Sequence, residues 1–519
     1  MTAPLHTLDA TALLELMGAG EASSREIVEA LHARADQVEP RVGAFAHQLR
    51  REALDAADAA DAARSRGELA GPLHGLPLTI KESVDVAGIP STLGMVSRKD
   101  RPAASDAVVV RRLREEGALV LGKTNVPQTL LAPLESTNRL FGTTHNPWRH
   151  GHGPGGSSGG EAAALAAGTS ALGIGTDIGG SIRTPAALCG VFGLKPTVDR
   201  WSNVGSRGLL PGQELVRSQI GPMARSVRDL ALLMATLDAP SMTPHDPRVP
   251  PVPTRRPPER PLVVGYYEDD GFLTPAASVR RAVREAAEAL DRAGCRVERF
   301  TPPNVEEIVW LYFAGLSADG LATLDEALAG EALIDPIKTV GRLAHMPRRA
   351  RQGLARAMGL MQETRVEKLI GALGEKRVKE LWDLTARRTE LKLEEQRAWD
   401  RAGVDVVLSP VYATPACPIG MSHDFTLGFA SVSRYNFLDR PAGVVPVSRV
   451  RTDETVRSNA RDRVEKRAEQ IESQSAGLPL AVQVVGRPWD EATVLRAMAL
   501  LEGEVRGGEA FPTTPVDPR

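Results

Sequence analysis

The sequence predicts an α/β protein, and three observations carry that expectation. Short apolar runs stop abruptly at polar residues, longer stretches repeat apolar residues every three or four positions, and the two patterns alternate along the chain. Residues 9 to about 63 read as helical: Leu13, Leu14, Leu16 and Met17 cluster, then Ile27, Val28, Leu31 and Ala35 follow at helical steps, with Ser23 and Ser24 placed as caps. After a glycine- and proline-marked break, residues 76–80 form a buried strand ending at Lys81. A helix over 107–116 leads into a second strand at 118–121. Nine prolines between 239 and 261 make a stiff connection that cannot join a central sheet. Beyond it, a strand at 262–267, a helix at 279–293 and a strand at 296–300 complete a β-α-β unit. Residues 305–400 read almost entirely as helix, and strands return at 404–409 and 480–485. The charged stretch 451–472 reads as a solvated loop or surface helix, and the tail beyond Gly503 as frayed.

Composition narrows the functional classes. The chain has 519 residues, 42% hydrophobic and 25% charged, enough for a sizeable core and unlike a disordered or fibrous chain. Its 63 basic and 65 acidic side chains leave a net charge of −2, so no global field draws it to nucleic acid. Cys189, Cys295 and Cys417 are far apart, which excludes a disulfide framework and a cysteine zinc site. No HExxH-type spacing occurs, and we expect neither metal nor cofactor. Residues 1–20 carry His6, Asp9 and Glu15 and resemble neither a signal peptide nor a membrane span. A cytoplasmic, reducing setting is expected.

Two glycine-rich stretches can carry chemistry. Pro154-Gly155-Gly156-Ser157-Ser158-Gly159-Gly160 would be a flexible linker if isolated, but an alanine-rich helix starts directly after it, with Ser158 or its neighbours as cap. Residues 151–156 also satisfy GxGxxG, yet no apolar strand precedes them, so they do not form a dinucleotide site. The second stretch, Thr176-Asp177-Ile178-Gly179-Gly180-Ser181-Ile182-Arg183, places two glycines before a serine. Such a turn exposes consecutive N–H groups beside a hydroxyl, as acyl transfer requires. Gly-x-Ser-x-Gly is absent here. For the base, His74 lies in a turn, whereas Lys81 ends an apolar strand, where burial can neutralise it.

Residues 71–82, the Gly122-Lys123-Thr124-Asn125 run, both glycine/serine stretches and residues 189–197 together resemble the amidase signature family. The match runs from about Gly71 to Arg225 and resumes at 441–447 and 477–489. The resemblance implies a single large domain with a central mixed twisted sheet, helices on both faces and a helical insertion. It also implies a serine hydrolase with Ser181 as nucleophile, Ser157 as bridging serine after a cis Gly156–Ser157 bond, and Lys81 as base. Backbone N–H groups of Ile178, Gly179, Gly180 and Ser181 would form the oxyanion hole, Asp177 and Arg183 would support the loop, and Ser158 would orient it. Residues 135–142, Gly160-Glu161 and residues 441–447 look more like the fatty acid amide hydrolase branch than the tRNA-dependent amidotransferase subunit, where glutamine usually stands at Thr184.

We therefore expect hydrolysis of linear non-peptide amides with an apolar acyl or aryl group. The alternatives are an amide synthase or acyltransferase, or an amidotransferase A-type subunit working with a partner. The expected division is an N-terminal helical region (1–70), a catalytic core (71–238), the proline-rich connection (239–261), the β-α-β unit and helical insertion (262–403), the C-terminal core (404–502) and a tail (503–519). With 4% aromatic residues, an acyl channel is expected to be lined by Leu, Met, Val and Ala, drawn from Trp310, Leu311, Phe313 and Leu316 and from Leu354, Met358, Leu360 and Met361. Arg348, Arg349, Arg351 and Arg356 accompany the second cluster, which reads as an ordinary packed helix with a basic face or as a peripheral membrane contact. There is room for a homodimer.

Overall fold

The apolar runs of the sequence assemble into one mixed sheet of eleven strands, seen in a computed structural model that describes residues 3–458 and 460–518. The strands are β1 (Phe45–Gln48), β2 (Pro77–Lys81), β3 (Leu119–Thr124), β4 (Ser136–Asn138), β5 (Gly142–Thr144), β6 (Leu172–Asp177), β7 (Phe192–Lys195), β8 (Gln219–Ala224), β9 (Val263–Tyr266), β10 (Arg296–Arg299), β11 (Val406–Pro410), β12 (Ala442–Arg449) and β13 (Pro479–Val485). β4 and β5 form a separate hairpin, and the sheet runs β1-β3-β2-β6-β8-β7-β12-β13-β11-β9-β10. β2 pairs in parallel with both β3 and β6, whereas β8, β7, β12 and β13 form an antiparallel centre. Every residue of β2, β3 and β6 is buried, so both faces are covered by helices, as parallel strands require.

The helix Gly159–Ala167 lies close on this sheet because its residues are small. All nine are buried, and Ala163, Ala164 and Ala167 pack against Val38 and Val42 of the helix Ser24–Val42. That second helix is capped as expected: Ser23 Oγ accepts the Glu26 N–H, and Glu26 in turn accepts the Ser23 N–H at 2.8 Å. The β-α-β unit forms with parallel β9 and β10 around the helix Ala277–Arg292.

Four expectations change. Residues 45–48 are not helical: β1 is an antiparallel edge strand on β3, and its pairing comes from residues 122–124, which no local pattern announces. The proline-rich connection begins with a short helix, Ala239–Met242, capped by Asp238, before it becomes extended. Within 451–472, the helix Arg463–Glu472 buries Val464, Ala468 and Ile471, so it is half sunk in the core. The tail is docked. Phe511 is buried, the Val516 N–H donates to the Ala166 carbonyl at 2.8 Å, and Arg34 holds both the Val516 carbonyl and Asp517.

Candidate active site

Lys81 is the last residue of β2, fully enclosed between two neighbouring strands and the covering helices. Burial pushes its amine down from the ordinary 10.5 to about 7, against the opposing pull of Asp177, Glu161 and Glu82. Its Nζ donates to Ser157 Oγ at 2.7 Å and to Thr176 Oγ1 at 2.8 Å. An amine poised near neutrality and in contact with a serine hydroxyl can exchange a proton with it.

Ser157 follows a cis Gly156–Ser157 bond and precedes the helix Gly159–Ala167. Ser158 occupies the N-cap position, but its hydroxyl does not cap; it lies 3.4 Å from the Thr176 N–H and carbonyl instead. Its own N–H donates to the Ser181 carbonyl at 3.1 Å, which ties the two serine loops together. Among the described residues no hydrogen bond joins the Ser157 and Ser181 hydroxyls directly.

Ser181 stands at the end of a turn that leaves β6 and enters the helix Arg183–Cys189. Gly180 adopts φ +103°, and a β-carbon there would strike Val432. Of the four expected oxyanion donors, Gly180 has its N–H committed to Asp177 Oδ1 at 2.7 Å. The N–H groups of Ile178, Gly179 and Ser181 have no protein acceptor among the described residues, so three donors remain on the turn.

Asp177 is the hub beneath that turn. Burial alone would raise its carboxyl, but the Arg183 guanidinium, Lys195 and Asn436 hold it well below the usual carboxylate range. Arg183 Nε donates to Asp177 Oδ2 at 3.0 Å and Nη2 to Oδ1 at 3.1 Å. The remaining guanidinium donors reach Gln483 Oε1 at 3.0 Å and Asn436 Oδ1 at 2.6 Å, while Asn436 Nδ2 returns to Asp177 at 2.8 Å. All four side chains are buried.

An apolar cavity opens at Ser181, Ile178 and Gly179. Leu131 and Pro133 also line it. Its walls come from the helices Val305–Leu316 (Tyr312, Phe313, Leu316), Ala322–Leu328 (Leu324) and Asp335–His345 (Ile337, Val340, Ala344), with Leu373 and Phe429. No Asp, Glu, Lys, Arg or His lines it among the described residues. The expected lining is corrected here. Phe313 and Leu316 contribute, but Trp310 packs instead on Phe272 at 5.4 Å between ring centres. Leu354, Met358, Leu360 and Met361 do not contribute, because Pro347 starts a new helix that carries them away; Leu360 is 88% exposed. Met is absent from the lining, and three aromatic rings are present.

Several residues escaped sequence reasoning. Thr176 lies inside the glycine-rich stretch with no spacing to mark it. Gln483 carried a signal that could have been used: it is the one polar residue in an otherwise apolar, fully buried strand. Asn436, Tyr312 and Phe429 sit on elements with no motif. Glu161 is fully buried, its carboxylate held by the Thr79 and Thr124 hydroxyls, and burial pushes it up to about 8.

The fold and this site define a hydrolase acting on amides, and comparison with known proteins agrees. The model of the Amidase family matches residues 26–495, and the chain belongs to that family. It is 37% identical over 444 residues to fatty-acid amide hydrolase 1 of Sus scrofa, covering 83% of this chain and 76% of that protein. It is 32% identical over 511 residues to the A-type subunit of the glutamyl-tRNA(Gln) amidotransferase of Chloroflexus aggregans, covering 95% of each. Among solved structures, a fatty acid amide hydrolase superposes with a TM-score of 0.85 at 29% identity, covering 97% of this chain and 86% of that one.

Proposed function

We propose that the chain hydrolyses linear, non-peptide carboxamides with an apolar acyl or aryl group, through an acyl-enzyme on Ser181. The observation that carries this reading is the Lys81–Ser157 contact of 2.7 Å, set beside a serine turn with free N–H groups at the mouth of an uncharged cavity. Neutral Lys81 takes the proton of Ser157 while Ser157 takes that of Ser181. Ser181 Oγ bonds to the carbonyl carbon, and the N–H groups of Ile178, Gly179 and Ser181 receive the oxyanion; each such donor is worth about 3 kcal/mol. Collapse breaks the C–N bond, and the relay runs backwards to protonate the departing amine. Water then repeats the sequence on the ester. The hydroxyl-to-hydroxyl link closes when substrate fills the site, since catalytic hydrogen bonds often tighten only in the complex.

The likeness to an amidotransferase component supports a second reading, with glutamine as amide donor. A cavity without an acid or base to meet the charged ends of an amino acid speaks against it. Acyl transfer to an added amine is the third outcome. A fluorophosphonate probe, followed by turnover of acyl amides, arylamides and glutamine with and without added amine, separates the three. Ser181→Ala must lose both labelling and turnover; wild-type activity in that variant would overturn the reading.

We also infer cytoplasmic action, which suits three buried, unbridged cysteines. No described helix is long and apolar enough to cross a membrane. Weak membrane contact fits the end of the helix Arg348–Leu360, where Leu360 and Met361 are exposed near Arg356. Co-sedimentation with anionic and neutral liposomes tests it, and light scattering tests the homodimer.

A further inference from the structure

The helical insertion reaches the reaction centre through one side chain. Tyr312, on the helix Val305–Leu316, is buried, and its hydroxyl donates to the Ile178 carbonyl at 3.3 Å. Ile178 and Gly179 carry two of the free N–H groups on the serine turn. The same hydroxyl lies directly over Gly179: a β-carbon there would collide with the oxygen, yet would stand 3.2 Å from the ring carbon that bears it. The Tyr312 ring itself forms cavity wall, edge-on to Phe313 at 5.8 Å and to Phe429 at 5.5 Å. One face of the side chain therefore meets the space for the acyl group, and its tip meets the oxyanion turn.

We propose that Tyr312 is a positioning residue for amide cleavage. Its hydroxyl holds the Ile178–Gly179 segment so that its N–H groups face the oxyanion, and an acyl group packed on the ring seats that hold. This rests on the proposed Ser181 reaction and adds a substrate consequence. Amides whose acyl group is long enough to cover the Tyr312 ring gain in kcat as well as in binding, because filling the cavity fixes the donors that act on the transition state.

The test is a double-mutant cycle of Tyr312→Phe and Gly179→Ala on short- and long-chain acyl p-nitroanilides. Tyr312→Phe keeps the cavity wall and removes one neutral hydrogen bond. We expect kcat on the long-chain substrate to fall about fivefold with KM little changed, and the kcat advantage of long over short chains to shrink. Gly179→Ala alone must be severely impaired, whereas adding Tyr312→Phe must restore part of its kcat, because the colliding oxygen is gone. Wild-type kcat in Tyr312→Phe, a loss confined to KM, or simple additivity of the two substitutions would overturn the proposal. Fluorophosphonate labelling accompanies each variant. An unlabelled Ser181 in the wild-type chain would sink the proposed reaction itself, while a labelled Ser181 with an additive cycle sinks only the role of Tyr312.

Discussion

Replacing Lys81 with methionine should make the protein more stable and catalytically dead at the same time. The folded chain holds this amine near 7 instead of 10.5, so at pH 7 the unfolded chain binds a proton that half of the folded molecules lack. Each tenfold change in proton affinity is worth about 1.4 kcal/mol, which puts the cost of burying Lys81 at pH 7 on the order of 4 kcal/mol. Methionine fills nearly the same volume without that cost. It also forfeits the bonds to Ser157 and Thr176, together worth about 2 kcal/mol, leaving a net gain of about 2 kcal/mol. The gain must fade with alkali. Between pH 7 and 10.5 the unfolded lysine progressively loses its proton, so wild-type stability rises through that window while the methionine variant stays flat. By about pH 10 the remaining burial cost, roughly 0.8 kcal/mol, is smaller than the lost bonds and the order of stability reverses. Calorimetry at both pH values reads the crossing as shifts on the order of 2 °C, and acylation rates read the loss of the base, about 10²–10⁴-fold. A variant that is less stable at pH 7, or a difference that ignores pH, would refute the buried neutral amine.

Other outcomes follow from the same geometry. Glu161→Gln should stabilise the chain by roughly 3 kcal/mol at pH 7, because a carboxyl that titrates near 8 when folded and 4.5 when unfolded makes wild-type stability fall as pH rises between those values. The advantage should vanish below pH 4.5 in urea titrations. Arg183→Met leaves Asp177 charged and unpaired, and should cost about 3–5 kcal/mol in equilibrium unfolding. Ala344→Trp should narrow the cavity that Ala344 lines, lowering kcat/KM about tenfold for long acyl chains and less for short ones. Ser181→Ala should retain the wild-type circular dichroism spectrum and melting behaviour while losing all probe labelling.

How far the molecule could be read in advance depended on whether a feature was local. The run ending at Lys81 announced a buried strand because five consecutive apolar or β-branched positions leave no polar face, and β2 is buried throughout. Two glycines before Ser181 announced a tight turn with free N–H groups for equally local reasons. By contrast, β1 owes its conformation to hydrogen bonds from β3, more than seventy residues later, and Phe45-Ala46-His47-Gln48 has no strand pattern of its own. The cavity was misplaced because apolar periodicity marks which face of a helix is buried, not what it is buried against. Leu354 and Met358 have the right spacing on the wrong helix. Asn436 as a partner of Asp177, and Gln483 as a partner of Arg183, became visible only once the chain had brought distant segments together.

That bridging has a consequence for biosynthesis. The Asp177 carboxylate under the Ser181 turn is bonded by a side chain that emerges from the ribosome some two hundred and sixty residues after it, and its partner Arg183 by one three hundred residues after that arginine. Among the described residues the last strand in chain order, β13, does not sit at an edge but is inserted between β12 and β11. A nascent chain halted anywhere before Gln483 carries Ser181 on an unfinished scaffold. The sheet beneath Ser181 therefore closes only after β13 has emerged, a delay inherent in the strand order itself.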